Sequence, residues 1–99
     1  MATEPGSVTV RLPQALVADA GGAREVVIEA PTPMRLGDVL DELARVAPAA
    51  RRRIQDETGA VRRYVNVFVG EDECRTLDGL DTVVRAGTVV HVIGSVAGG

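Results

Sequence analysis

A chain of 99 residues, 45% hydrophobic and 25% charged, has the makings of one globular domain with a modest core, and this composition excludes a disordered chain. Its net charge of −3 argues against a surface built to neutralise duplex phosphates. All eleven cations are arginine, so no lysine of a sister molecule is available for attachment.

Cys74 is the single cysteine, which excludes an internal disulfide and points to a reducing compartment. Met1 to Gly6 lack the basic start and apolar stretch of a secretory signal. No apolar run approaches the roughly 20 residues that span a bilayer. The expectation is a cytoplasmic protein with neither membrane nor nucleic acid as partner. One domain is expected over residues 1–99, with 94–99 a flexible tail.

Val8, Val10 and Leu12 alternate with Thr9 and Arg11, the period of a half-buried strand. Ala18 to Gly22 is turn chemistry. Glu25 to Ala30 reads as a second strand with Val26 and Ile28 inward, completing an antiparallel hairpin that Pro31 and Pro33 end. Leu36, Val39, Leu40, Leu43 and Val46 form a helical stripe, and Pro48 marks its close. A short helical turn follows over Ala49 to Asp56, with Ile54 inward, and Glu57 to Ala60 is loop.

Val61 to Val69 reads as the strongest strand, its odd positions core-facing and Arg62, Tyr64, Asn66 and Phe68 on the other face. Gly70 to Glu73 turns the chain, and Cys74 to Leu77 reads as a short returning strand. Leu80 to Val84 is a connector and Ala86-Gly87 a turn. Thr88 to Ile93 is the final strand, with Val90 and Val92 inward and Val89, His91 and Ile93 outward. Helix and strands each carry one apolar face, so an α+β mixed sheet of four to five strands packed on one main helix accommodates them.

Candidate chemistry is sparse. His91 and Cys74 lack companions at metal-ligand spacing, so no metal site is assigned. Ser7 and Ser95 lack an activating histidine motif, and Glu71, Asp72 and Glu73 form a solvated turn. Arg51-Arg52-Arg53 reads as a solvated face, with an acidic partner protein as the alternative. Tyr64, Phe68, His91 and Ile93 project from one side if their strands are neighbours, an arrangement that marks an interaction patch. The chain closes on Val96-Ala97-Gly98-Gly99, and a terminal Gly-Gly carboxylate can be threaded through a channel too narrow for bulkier residues.

The element order, the strand Arg63-Tyr64-Val65-Asn66-Val67-Phe68-Val69, the acidic turn, Gly79-Leu80-Asp81-Thr82, Gly87 and the terminal Gly-Gly together resemble the MoaD/ThiS ubiquitin-like sulfur carriers. The resemblance runs from Val8 to Gly99 and leans towards the CysO-type carriers of cysteine biosynthesis. It implies a β-grasp fold and a non-enzymatic carrier acted on by partners. An E1-like adenylating and sulfurtransferase enzyme would use ATP to adenylate Gly99. Sulfur would replace AMP to give a thiocarboxylate, which a sulfur-accepting biosynthetic enzyme consumes.

The carrier itself would bind no cofactor and be a monomer when free. Gly98 would pass the channel, Ala97 and Val96 would line its mouth, and Tyr64, Phe68, His91 and Ile93 would meet partners. Thr88 stands where the family commonly has an acidic residue, Gly94-Ser95 where proline-containing tails are frequent, and Cys74 where an apolar residue is usual. The small subunit of molybdopterin synthase, a ubiquitin-like protein modifier and a plain interaction domain remain alternative readings.

Overall fold

The computed structural model describes residues 4–94. Two strands, β1 (Glu4–Arg11) and β2 (Glu25–Thr32), form the expected hairpin, with Val8 opposite Ile28 and Val10 opposite Val26. Gly21 and Gly22 in the intervening loop take φ of 68° and 95°, a region open to glycine and costly for other residues. Pro31 does not end β2. The strand continues to Thr32 because β2 is the edge of the sheet, where a missing N–H costs no ladder bond.

A two-residue strand β3 (Met34–Arg35) leads into helix α1 (Leu36–Val46). The backbone N–H of Arg35 donates to Asp38 Oδ2 at 3.3 Å, giving the helix start an acidic cap. Leu36, Val39, Leu40 and Leu43 are fully buried, but Val46 is 67% exposed, against expectation. Val46 lies at the flank of the stripe on the last helical turn, and Ala47 takes the central, buried position instead. Pro48 opens helix α2 (Pro48–Ile54), which buries Ala50 and Ile54. Proline is favoured at such a start because it has no N–H to satisfy.

Strand β4 covers only Val65–Val69, not Val61 to Val69. Val61 makes an isolated bridge to Gln55, and the Val65 N–H closes a turn on the Arg62 carbonyl at 3.0 Å. Strand β5 (Asp72–Glu73) returns through Gly70, whose φ is 65°, and pairs Val69 with Asp72. The Cys74 to Leu77 stretch is therefore not the returning strand: Cys74–Thr76 is a 3-10 turn, and Glu73 caps it through the Arg75 N–H at 3.0 Å. Strand β6 (Val83–Val84) lies inside the expected connector and pairs with β3. Strand β7 (Val89–Gly94) closes the order.

The main sheet runs β2-β1-β7-β4-β5, with β1 and β7 parallel and the other pairs antiparallel. Val8, Val10, Val65, Val67, Val90 and Val92 line its inner face, packed with α1 and α2 into one core. This is the mixed five-stranded sheet and main helix expected of a β-grasp domain.

Candidate functional site

The outer face of the sheet is read most directly along one line. Glu25, Arg11, His91, Phe68 and Glu73 stand opposite one another in successive strands, across all five. Alternation puts them there: Val10, Val67, Val90 and Val92 must face the helices, so their neighbours in sequence face outward. The ends of the line are tied by charge. Arg11 Nη2 sits 2.8 Å from Glu25 Oε2, and Arg75 Nη1 sits 3.3 Å from Glu73 Oε2. Between them stand His91 and Phe68, both half-buried. Asn66 and Ile93 pair beside them, and Ile93 is 39% exposed.

Phe68, His91 and Ile93 are thus brought to one face by neighbouring strands, as the sequence suggested. Tyr64 is placed differently. It sits in the turn before β4 and is 53% exposed, at the sheet end where Val65 pairs with Gly94. The strand ends there because the chain from Arg62 to Val65 turns on its own hydrogen bond. Val96, Ala97, Gly98 and Gly99 lie outside the described residues.

Arg75 is a residue the sequence reading missed. Its guanidinium donates to Asn66 Oδ1 at 3.3 Å through Nη1 and to the Arg62 carbonyl at 2.9 Å through Nη2. It therefore joins the outer face to the turn that carries Tyr64. Nothing local in the sequence signals this, because the contacts lie 9 and 13 residues away.

Cys74 is 1% exposed and packs in the core. Burial pushes its thiol up to about 11, with the neighbouring Glu73 carboxylate adding to the shift. At neutral pH it is protonated and unreactive, a small apolar side chain as expected. Among the described residues, no group of three or more His, Cys, Asp or Glu side chains could hold a metal ion. None of the described helices is long and apolar enough to cross a membrane.

Comparison with known proteins is consistent along nearly the whole chain. The sequence model of the ThiS family matches residues 10–99. The sulfur carrier protein CysO of Mycobacterium tuberculosis is 32% identical over 95 residues, covering 94% of this chain and 99% of that protein. Among solved structures, SAMP1 from Haloferax volcanii superposes with a TM-score of 0.79 at 26% identity, covering 95% of this chain and all of that one. A chain of the Amycolatopsis orientalis BexX/CysO complex gives a TM-score of 0.75 at 30% identity, covering 93% and 99%.

Proposed function

The chain belongs to the ThiS family, and from this we propose that it is a sulfur carrier whose C-terminal glycine bears the sulfur. In the proposed cycle an E1-like partner joins the Gly99 carboxylate oxygen to the α-phosphorus of ATP, releasing pyrophosphate. A reduced sulfur donor then attacks the acyl carbon of the adenylate and expels AMP, leaving a C-terminal thiocarboxylate. The chemical logic is that a carboxylate is a poor acyl acceptor of nucleophiles, whereas its adenylate carries a good leaving group. The thiocarboxylate sulfur is already anionic and nucleophilic, so the carrier needs no base of its own.

The observation that carries this reading is the extent of the family match, which includes the terminal Val96-Ala97-Gly98-Gly99. Gly98 would pass the narrow part of a partner's channel, with Ala97 and Val96 at its mouth. Tyr64, Phe68, His91 and Ile93 would seat the sheet on the partner while the terminus is inside. The second partner would be a cytoplasmic enzyme that consumes the thiocarboxylate to make cysteine or a specialised thio-metabolite. ATP belongs to the activating enzyme, and the carrier holds no cofactor.

Intact-mass measurement after incubation with ATP, the adenylating enzyme and a sulfide donor tests the proposal. The expected product has one oxygen of Gly99 replaced by sulfur, and a variant lacking Gly99 stays unmodified. A full-length chain that remains unmodified under conditions where the enzyme is active overturns it. The likeness to SAMP1 of Haloferax volcanii, a small archaeal modifier protein, favours a second reading as a protein modifier. That reading requires Gly-Gly remnants on lysines of other proteins, since this chain has no lysine.

A further inference from the structure

We propose that the arginines of α2 and of the turn before β4 form a basic collar that docks an acidic surface of the protein receiving the C-terminal segment. The inference rests on the carrier reading above and concerns the partner's chemistry. Charge is unevenly distributed in this molecule. Residues 51–63 hold five arginines against Asp56 and Glu57, a net +3, while the rest of the chain sums to −6.

The fold gathers these cations at one place. The Arg62 N–H donates to the Ile54 carbonyl at 2.9 Å, and Arg62 Nε donates to the Arg52 carbonyl at 3.0 Å. The end of α2 is thereby tied to the turn that precedes β4. Val65, next along, pairs with Gly94, the last described residue. The collar consequently borders the point from which the C-terminal segment departs.

Local acids offset it only in part, Asp56 through its attraction to Arg62. Asp56 Oδ1 is committed to its own loop, accepting from the N–H groups of Thr58 at 2.8 Å and Ala60 at 3.2 Å. Arg53 has a carboxylate partner, Asp19, at 3.6 Å, and Arg51 Nε is taken up by Gln55 at 2.9 Å. Among the described residues no ion pair involves Arg52, Arg62 or Arg63. Arg52 and Arg63 are exposed. Such uncompensated charges at the rim of an interface steer encounter and fix register. A long polyanion is disfavoured, because it would run from the collar onto a surface of net −6, and Tyr64 is the one aromatic in the adjoining turn. A protein surface can match the patch alone.

The test is steady-state ATP–pyrophosphate exchange by the adenylating enzyme, with the full chain as varied substrate. R52E/R63E is expected to raise KM for the chain about tenfold with kcat unchanged, as rim charges act on encounter more than on chemistry. R52K/R63K should keep KM within about twofold of wild type, because charge is retained. Raising salt from about 0.05 to about 0.5 M should raise the wild-type KM more than that of R52E/R63E. Thermal melts of both variants control for folding. Removing Gly99 abolishes exchange in every background, which separates loss of the carrier chemistry from loss of the collar. Equal KM values for wild type and R52E/R63E, with exchange intact, overturn the collar alone. A wild-type chain that supports no exchange overturns both. Tight binding of a labelled single-stranded oligonucleotide that R52E/R63E abolishes assigns the patch to nucleic acid and overturns the proposal.

Discussion

Phe68 on β4 and His91 on β7 stand directly opposite one another on the outer face of the sheet, at the centre of a line that crosses all five strands. Glu25–Arg11 flanks the pair on one side and Glu73–Arg75 on the other. Both rings are half-buried outside the core, and their register places them as a cross-strand pair. A double-mutant cycle with Phe68→Ala and His91→Ala, followed by urea unfolding, should return a coupling of about 0.2–1 kcal/mol. Strictly additive effects would show that the two rings do not support each other.

Gly6 is required by close approach. A Cβ built there would stand 2.5 Å from Thr32 Oγ1 and 2.9 Å from the Ala86 Cβ. Gly6→Ala should therefore lower stability by about 1–3 kcal/mol, the usual range for overpacking. Thermal unfolding measures it, and adding Ala86→Gly should recover part of the loss. An unchanged melting temperature in Gly6→Ala would mean that β1 shifts freely at this point.

The Cys74 thiol gives a pH dependence with a definite sign. Its value rises from 9.0 to about 11 in the folded protein, first through burial and then through Glu73. Between those values the folded chain holds a proton that the unfolded chain releases, so stability falls as pH rises from about 9 towards 11. The Cys74-dependent loss is on the order of 2 kcal/mol and should vanish in Cys74→Ala. Denaturant midpoints across this alkaline range check it. Below pH 9 the thiol should also resist aromatic disulfide reagents until the protein is unfolded.

Arg75 holds the Arg62 carbonyl and the Asn66 and Glu73 side chains through one planar fork. Lysine cannot reproduce that geometry. Arg75→Lys should cost about 0.5–1 kcal/mol, since the site is partly exposed and solvent screens it. Amide exchange of Val65, whose N–H bonds to the Arg62 carbonyl, should accelerate in the variant. Unchanged exchange there would remove Arg75 as the brace of the Tyr64 turn.

Most of the fold was legible because periodicity reports burial. Val8-Val10-Leu12, Val26-Ile28 and Val90-Val92 alternate strictly, and Leu36-Val39-Leu40-Leu43 follow the helical period, so each element announced its inner face. The proline reading succeeded at Pro48, where a new helix starts, and failed at Pro31, where an edge strand tolerates it. Val46 and the Arg62 to Tyr64 stretch misled for a related reason. Val46 continues the apolar pattern at the flank of the helical stripe, and the Arg62 to Tyr64 stretch continues an alternation where a turn has already diverted the backbone. Strands β3 and β6, two residues each, are too short to carry any period.

Local sequence thus determined which side chains face inward, because the periods of strand and helix are fixed by backbone geometry and water enforces the choice. It also supplied the Gly98-Gly99 pair that the family match includes and the absence of lysine. Tertiary structure alone decided which outward residues meet. Putting Arg11, His91, Phe68 and Glu73 in one line needs the order β1-β7-β4-β5, which joins residues far apart in the chain. Gathering Arg52 with Arg62 beside Gly94 likewise depends on hydrogen bonds between α2 and the β4 turn, and on strand pairing between β4 and β7. Such contacts form only when the shared core draws distant segments together, so no local pattern encodes them.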